Sequence, residues 1–253
     1  MTREYHLFLS ALMFYTRIPI PGHYRFHESY LQESSRYFVL IGWIIGGIAW
    51  GSFELFHLIF HQEISIALSM LVTIRATGAF HEDGLADVCD GLGGGWDKEK
   101  ILTIMKDSRL GTFGVLGLIS IIGIKFMTLN SISSDFIGVA MILGHVLSRM
   151  TAIHMMRRGR YVGNFEQAKS GSAAHKPSLS TYLTNILLTL PCAFFIPHRE
   201  GLLVIVGLWL LELYAFRYFN KWIKGYNGDC LGALQQVSEV FCYLAWIVIW
   251  KYI

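Results

Sequence analysis

The sequence predicts an all-α membrane protein, a helical bundle that crosses the bilayer about seven times. Of its 253 residues, 53% are hydrophobic and only 15% are Asp, Glu, Lys or Arg, whereas soluble domains are about 25% charged. So few charged residues cannot cover a water-facing surface, and the composition excludes both a disordered chain and a nucleic-acid-binding domain. The four cysteines are widely spaced and form no CxxC motif, so they indicate neither a zinc site nor a disulfide framework.

Seven apolar runs approach the length that a helix needs to cross about 30 Å of hydrocarbon. They cover 37–60, 64–80, 112–130, 135–156, 178–196, 201–219 and 236–251. The stretch 7–16 is too short to span, and Pro19 and Pro21 follow it closely, so it predicts a short N-terminal helix that is interfacial or half-inserted. Because the sequence shows neither an internal repeat nor a linker, we expect a single transmembrane domain over 1–253.

The Lys and Arg residues of the loops lie almost entirely on one side of the predicted membrane. The segments 17–36, 81–111, 157–177 and 220–235 hold nearly all of them, whereas the short links on the other side hold only Arg199. Because cytoplasmic loops are enriched in Lys and Arg, the four long segments are predicted to face the cytoplasm. We therefore expect a multi-pass protein of the cell inner membrane. The sequence leaves open whether it forms a homo-oligomer.

Acidic residues cluster in one of these segments: seven of the 18 fall between residues 82 and 107. On a helix, Asp83, Asp87 and Asp90 would share one face within an arc of about 60°. Glu82 would join them only from the helix N-terminus. Clustered carboxylates repel unless a cation neutralises them, and oxygen ligands favour Mg²⁺, with Mn²⁺ as a second choice. The segment 81–111 is therefore a predicted metal site; a solvated acidic helix face is the alternative.

Glycines and basic residues follow the carboxylates. The run that contains Gly93 and Gly94 could present backbone N–H donors to a phosphate, although no P-loop sequence follows, and a flexible helix end has the same composition. The next compact group is Lys106, Asp107, Ser108 and Arg109. Two cations beside a bound metal suit a diphosphate, and anchoring at the membrane surface is the alternative explanation.

Two further regions on the same side carry candidate residues. Arg149, inside a predicted span, could bind phosphate, whereas Arg157, Arg158 and Arg160 just beyond it are more typical of contacts with anionic lipid headgroups. Asp229 stands at the start of the last helix, where substrate binding and helix N-capping are equally good explanations. Together these residues indicate a metal-dependent phosphotransferase that acts at a membrane.

The segment 80–114, FHEDGLADVCDGLGGGWDKEKILTIMKDSRLGTFG, resembles the signature segment of the cobalamin synthase family, the adenosylcobinamide-GDP ribazoletransferases. FYTRIPIP, LSRM and GYNGDCLGALQQVSE occur in the order expected for that family, so the resemblance covers essentially the whole chain. It implies an enzyme that joins adenosylcobinamide-GDP to α-ribazole or its 5′-phosphate in a late step of cobalamin biosynthesis. GMP is released, and the product is adenosylcobalamin or its 5′-phosphate.

The resemblance also implies roles for individual residues. The family's acidic motif falls on Asp83, Asp87 and Asp90, which would hold Mg²⁺. The catalytic candidates are Asp83, Asp107 and Arg109, with Asp107 or a motif carboxylate as the base toward the ribazole 5′-hydroxyl. The substrate-binding candidates are Lys106, Ser108, Arg149, Asp229, Gly93 and Gly94.

Two other functions are consistent with parts of the sequence. A phospholipid-headgroup transferase is one, because Asp87-x-x-Asp90-Gly91 matches the opening of the CDP-alcohol phosphotransferase motif; however, Gly94-Gly95 replaces the Ala-Arg of that motif, and its second half does not follow. A transporter is the other, but transporters place ionisable residues near mid-membrane on broken helices in paired halves. Here the carboxylates are concentrated in one segment at a predicted membrane edge.

Overall fold

Helices account for nearly all of the regular structure. The computed structural model describes residues 3–22, 24, 27–163, 174–196 and 198–252. Within them there is no β-strand, and Tyr161 and Tyr226 form an isolated β-bridge. The helices are α1 (Arg3–Tyr15), α2 (Glu28–Gln32), α3 (Phe38–His57), α4 (Gln62–Thr77), α5 (Phe80–Gly94), α6 (Lys98–Met105), α7 (Thr112–Asn130), α8 (Ser134–Arg158), α9 (Leu179–Thr189), α10 (His198–Ile223) and α11 (Gly228–Tyr252), with 3₁₀ segments at Ser34–Tyr37 and Leu190–Phe194. The predicted all-α fold is confirmed.

Five helices in the described part of the chain are long and apolar enough to cross a membrane, and α4 with α5 would make a sixth if this bent pair counts as one span. The five segments are Ser34–His57, Thr112–Asn130, Ser134–Arg158, Glu200–Ile223 and Gly228–Ile249. The chain is thus a multi-pass membrane protein with five or six candidate spans, where the sequence predicted about seven. The difference comes from two of the predicted runs, 64–80 and 178–196.

The run 178–196 forms the 11-residue α9 and a short 3₁₀ segment instead of a full span. Pro191 lies in the first turn of the 3₁₀ segment. Because proline has no N–H and its ring clashes with the carbonyl of the preceding turn, an α-helix does not continue through it. Asn185 holds α9 beside the start of α3: its Nδ2 donates to Ser35 O at 3.0 Å, and its Oδ1 accepts from the N–H of Val39 at 3.1 Å.

The run 64–80 is broken by a sharp turn between α4 and α5, whose axes differ in direction by 88°. Gly78 (φ 68°) and Ala79 (φ 58°) both have left-handed backbone, which glycine adopts freely but which costs an alanine about 1–2 kcal/mol. The turn packs on the chain that follows α1, since the N–H of Arg17 donates to Ala76 O at 2.7 Å. As a result α5, which carries the clustered carboxylates, runs across α4 instead of continuing it.

The long helix α8 lies at the centre of the bundle, and α3 and α11 pack on it through glycines. A Cβ at Gly42 of α3 would lie 2.8 Å from His145 O, and one at Gly46 would lie 2.7 Å from a Cα of α8. On the side facing α11, Gly144 makes room for the ring of Tyr243. Small residues at helix contacts are typical of membrane bundles, because close packing replaces the hydrophobic driving force that lipid does not supply.

The predicted short N-terminal helix is present as α1, and it packs on the bundle. Leu7, Leu12 and Tyr15 are buried, and the ring centroid of Tyr15 lies 4.4 Å from that of Phe38 in α3. α1 has 13 residues, too few to cross about 30 Å of hydrocarbon. It therefore adds to the core around the first turn of α3.

Candidate active site

Two helices meet at the clustered carboxylates because glycines leave no side chain between them. A Cβ on Gly84 of α5 would lie 3.0 Å from the Cα and the carbonyl oxygen of Asp229 in α11. One on Gly232 would lie 3.1 Å from His81 O. The first turns of α5 and α11 are therefore in backbone contact. This contact brings Asp229 to the part of α5 that carries Asp83 and Asp87.

We use the term acidic site for Asp83, Asp87 and Asp229. The charges of Asp229, Asp83 and Asp90 act on Asp87, and that of Asp83 also acts on Asp229. Asp83 is exposed, and the other two are partly buried. Among the ion pairs of the described residues, none joins a Lys or Arg to these carboxylates. The predicted clustering of Asp83 and Asp87 is present, and Asp229 joins it from a helix distant in sequence.

Asn227, and not Asp229, caps α11. The N–H of Cys230 donates to Asn227 Oδ1 at 3.0 Å, and Asn227 Nδ2 donates to Asp229 Oδ2 at 2.8 Å. The N-capping explanation of Asp229 therefore does not hold. Instead, the capping amide orients the Asp229 carboxylate at the start of α11, where it faces α5.

Asp90 lies on the same helix as Asp83 and Asp87 but is bonded within the fold. Its Oδ2 accepts from the N–H of Gly111 at 2.7 Å, and its Oδ1 accepts from the N–H of Gly114 at 2.8 Å. A carboxylate at the N-terminus of a helix satisfies free N–H groups and interacts favourably with the helix dipole. Both oxygens of this predicted metal ligand thus bond the start of α7, which gives Asp90 a capping role that the sequence did not predict. Its role as a metal ligand stays a prediction.

Glu82 faces away from the acidic site. It is 8% exposed, and its Oε1 accepts from Gln236 Nε2 of α11 at 3.1 Å. Consecutive residues of an α-helix point about 100° apart, which explains why Glu82 and Asp83 have different surroundings. The prediction that Glu82 joins the metal ligands is therefore not supported.

The acidic site suits a hard divalent cation by its chemistry, although it is not a closed cage. All of its side-chain donors are carboxylate oxygens, which Mg²⁺ prefers. Across the described residues, no three His, Cys, Asp or Glu side chains converge as a complete ligand set. Mg²⁺ is commonly held by one or two carboxylates together with water and substrate phosphates, so an incomplete set of protein ligands is compatible with this ion.

The loop between α6 and α7 carries the predicted basic group, and two of its charged residues, Asp107 and Arg109, are paired with each other. Arg109 Nη2 lies 2.6 Å from Asp107 Oδ2, and the Arg109 side chain is 87% exposed. Hydrogen bonds from Arg109 lower the pKa of Asp107 to about 2, so Asp107 is a weak base near neutral pH. Its predicted role as the general base is therefore disfavoured. Lys106 and Ser108 are exposed, as a contact with a substrate requires.

Gly93 and Gly94 form the end of α5. The N–H groups of an α-helix point toward its N-terminus, so the end of α5 presents carbonyl oxygens and the negative end of the helix dipole. This environment is unfavourable for a phosphate, and the prediction that the two glycines bind one is not supported. Gly93 has a packing role, because a Cβ there would lie 2.5 Å from the ring of Phe113.

A second set of polar residues lies inside the bundle, and we refer to it as the buried network. Its members are Glu82, Lys125, His145, Arg149, Gln235, Gln236, Glu239 and Tyr243. At its centre, Glu239 lies 3.0 Å from Lys125 Nζ and accepts hydrogen bonds from Gln235 at 2.8 Å and Tyr243 at 2.9 Å. Gln236 accepts from Lys125 at 2.9 Å and donates to Glu82. The network thus joins α5, α7, α8 and α11.

Arg149 belongs to the buried network and not to the exposed loop. It is 1% exposed, its Nη1 donates to His145 O at 2.9 Å, and its guanidinium carbon lies 5.6 Å from the ring centroid of Phe38. Because this side chain is enclosed in the bundle, the structure does not support its predicted contact with substrate. Charged residues inside apolar runs are the sequence signal for this network, and Lys125, Arg149 and Glu239 carry it.

The fold defines a class of protein: an all-α, multi-pass membrane protein, in which carboxylates of α5 and α11 lie near one another. The chain matches the family model described as cobalamin-5-phosphate synthase over residues 7–247. It belongs to that family.

Relatives along almost the whole chain carry the name adenosylcobinamide-GDP ribazoletransferase. The protein from Leptospira interrogans is 41% identical over 261 residues, which cover 99% of this chain and 98% of the relative. The proteins from Shewanella piezotolerans and Leptothrix cholodnii are each 37% identical over 98% of this chain and over 96% and 97% of their own length. No solved structure matches the chain.

Proposed function

We propose that this chain transfers the adenosylcobinamide phosphate group from adenosylcobinamide-GDP to α-ribazole or its 5′-phosphate, with Mg²⁺ at the acidic site. GMP is released, and adenosylcobalamin or its 5′-phosphate is formed. The family and the names of the relatives identify an adenosylcobinamide-GDP ribazoletransferase, an enzyme of a late step in cobalamin biosynthesis. One observation supports the Mg²⁺ assignment: the close approach of α11 to Gly84 brings Asp229 near Asp83 and Asp87.

The reaction exchanges one P–O bond for another. A ribose hydroxyl of the acceptor attacks the phosphorus that bears the cobinamide, the bond from that phosphorus to the GMP oxygen breaks, and the hydroxyl proton passes to a base. An acceptor that carries a 5′-phosphate has no free 5′-hydroxyl. The attacking group shared by both acceptors is therefore another ribose hydroxyl, which corrects the expectation drawn from the sequence. Bound Mg²⁺ would neutralise charge on the diphosphate.

Within this proposal, the residues of the chain bind the substrates and accept the proton. The base is a carboxylate other than Asp107, because both Asp107 oxygens accept hydrogen bonds from Arg109, which lowers the pKa of Asp107. Asp83 is exposed and therefore accessible to the acceptor. Lys106 and Arg109 lie in the loop just before the turn of α7 that Asp90 ties to α5. From there the two cations can hold the phosphates of the donor.

The proposal places the acidic site at the cytoplasmic face of the inner membrane. The contact of Gly84 with Asp229 and the bridge between Tyr161 and Tyr226 bring three Lys- and Arg-containing segments, 81–111, 157–163 and 220–229, together. Their cations support this orientation, because cytoplasmic loops are enriched in Lys and Arg. The acidic site and the basic loop would then be exposed on the side where the nucleotide-linked donor is made available.

The substitution Asp83→Asn tests the metal assignment. With purified protein, both substrates and Mg²⁺, GMP release is expected to fall about 10²-fold or more, because a metal ligand is lost. Membrane insertion should be unchanged, since Asp83 is exposed. Glu99→Gln on α6 is the matched control: it removes the same charge from an exposed residue and should leave GMP release intact.

Removal of the ion provides an independent test. Wild-type protein treated with a chelator should lose GMP release and regain it when Mg²⁺ or Mn²⁺ is added. Full activity of Asp83→Asn, or activity that resists chelation, would contradict the Mg²⁺ assignment. GMP release without an acceptor would indicate hydrolysis in place of transfer, and a preference for a cytidine-diphosphate donor would indicate a phospholipid-headgroup transferase.

A further inference from the structure

A cavity of about 460 Å³ lies between α8, α10 and the segment formed by α9 and its 3₁₀ extension. Its volume falls within the range of small-molecule sites, roughly 300–1,000 Å³. Apolar side chains such as Leu147, Ile186 and Ile205 line it, and neither α5 nor α11 contributes to it. It is therefore separate from the acidic site.

One buried carboxylate lines this apolar cavity. Glu212 of α10 is 1% exposed, and among the described residues neither of its oxygens has a hydrogen-bond partner. The nearest cationic groups are Arg158 Nη1 at 3.5 Å and His154 Nε2 at 3.9 Å, both on α8. A carboxylate inside a membrane span is costly unless donors satisfy its oxygens, so this one indicates a ligand that supplies them.

Of these two residues of α8, His154 lines the cavity, and Arg158 lies beside it, with its Nη2 3.3 Å from His154 Nε2. The side chains of Arg158 and His154 are 28% and 31% exposed, whereas that of Glu212 is 1% exposed. The His154 ring is held in place because its Nδ1 lies 2.9 Å from the hydroxyl of Tyr182 in α9. Trp209 and Leu202, which also line the cavity, are 46% and 61% exposed. The cavity thus opens toward the side of α10 that faces lipid.

We propose that this cavity binds a membrane phospholipid whose headgroup carries a hydrogen-bond donor, such as an ethanolamine phospholipid. An acyl chain fills the apolar part, the phosphate lies against Arg158 and His154, and the ammonium group donates to Glu212. The assignment follows from charge complementarity: a guanidinium beside a carboxylate matches a phosphate beside an ammonium. A choline headgroup has no N–H, so it would leave the Glu212 oxygens unsatisfied.

Native mass spectrometry of the purified full chain, titrated with lipids of identical acyl chains, tests the proposal. Wild-type protein is expected to bind phosphatidylethanolamine about tenfold more tightly than phosphatidylcholine, the effect of one charge-assisted hydrogen bond. In Glu212→Gln the preference should fall to near parity. Ala193→Trp fills the cavity and should weaken both lipids, whereas Leu203→Trp places the same side chain on a lipid-facing position outside it.

Three results would overturn the proposal. If wild-type protein bound the two lipids with equal affinity, Glu212 would not recognise the headgroup. If Ala193→Trp and Leu203→Trp bound lipid equally well, the cavity would not be the binding site. Displacement of bound phosphatidylethanolamine by α-ribazole or adenosylcobinamide-GDP would make the cavity part of a substrate site. Should Glu212→Gln fail to fold, the wild-type preference and the two tryptophan variants still decide the question.

Discussion

The acidic site and the buried network share α5 and α11 but arrange their charges in opposite ways. In the acidic site, carboxylates from both helices act on one another, and no ion pair among the described residues offsets them. In the buried network, Glu239 is paired with Lys125 and bonded by two further side chains. Glu82 and Asp83 are neighbours in sequence, yet Glu82 belongs to the network and Asp83 to the acidic site.

This difference separates two uses of charge in one membrane domain. In the network, Lys125 is paired with Glu239 and most polar atoms are hydrogen-bonded, so it can stabilise the positions of the four helices that it joins. Glu82 Oε2 and Arg149 Nε are the exceptions, with no hydrogen-bond partner among the described residues. The acidic site carries negative charge that no ion pair offsets, and the repulsion among its carboxylates is relieved when a cation is bound. Because Gln236 fixes Glu82, the network also determines where α5 presents Asp83. The buried network therefore helps to position the acidic site.

The largest effect is expected when the balance of the network is broken. Lys125→Met removes the cation beside Glu239 and leaves a buried carboxylate without its ion-pair partner. Loss of one partner of a buried ion pair costs about 3–5 kcal/mol, so the free energy of unfolding in detergent micelles should fall by that amount. Adding Glu239→Gln to this variant should recover part of the loss, because the glutamine can still accept a hydrogen bond from Tyr243.

Ile124→Met is the matched control for this prediction, since it introduces the same side chain one residue earlier on α7 at a position that is 43% exposed. It should change the free energy of unfolding by less than about 0.5 kcal/mol. If Lys125→Met were no more destabilising than this control, the network would not be a support of the fold.

An intermediate effect, on activity, is expected in the acidic site. Asp87→Asn should lower GMP release about 10²-fold, which corresponds to about 2.7 kcal/mol of activation free energy. Its effect on stability should have the opposite sign to that of Lys125→Met. Without Mg²⁺ the variant should unfold at a higher temperature than wild-type protein, because one of several repelling charges is gone.

Titration with Mg²⁺ separates this explanation from simple damage to the fold. A cation that binds only the folded state raises the unfolding temperature, so wild-type protein should be stabilised by Mg²⁺ and Asp87→Asn much less. Equal stabilisation of both proteins would place the ion elsewhere.

The sequence predicted the helical class, the membrane location and the clustering of Asp83 with Asp87, because each depends on composition or on helix periodicity. It could not pair Asp229 with them, since that contact depends on the approach of two glycine-containing helices. The bend after Thr77 was also hidden, because Gly78 and Ala79 look ordinary within an apolar run. Arg149 shows a further limit: an arginine suits a phosphate and a buried network equally well until its neighbours are known.

The smallest effect is expected at Asp90, which carries a charge like the acidic site but is satisfied within the fold like the network. In Asp90→Asn, the amide oxygen can still accept a hydrogen bond from one of the two N–H groups, that of Gly111 or that of Gly114. The amide NH₂ then faces the second N–H group, so that hydrogen bond is lost. Loss of such a cap costs about 1 kcal/mol, so unfolding should become easier, whereas the same substitution at Asp87 makes it harder. GMP release should fall only several-fold, and the affinity for Mg²⁺, measured from the concentration that restores activity, should change little. If Asp90→Asn instead lost Mg²⁺ affinity as severely as Asp87→Asn, Asp90 would be a metal ligand, and the division between ligand-dependent and self-satisfied carboxylates would fail within one helix.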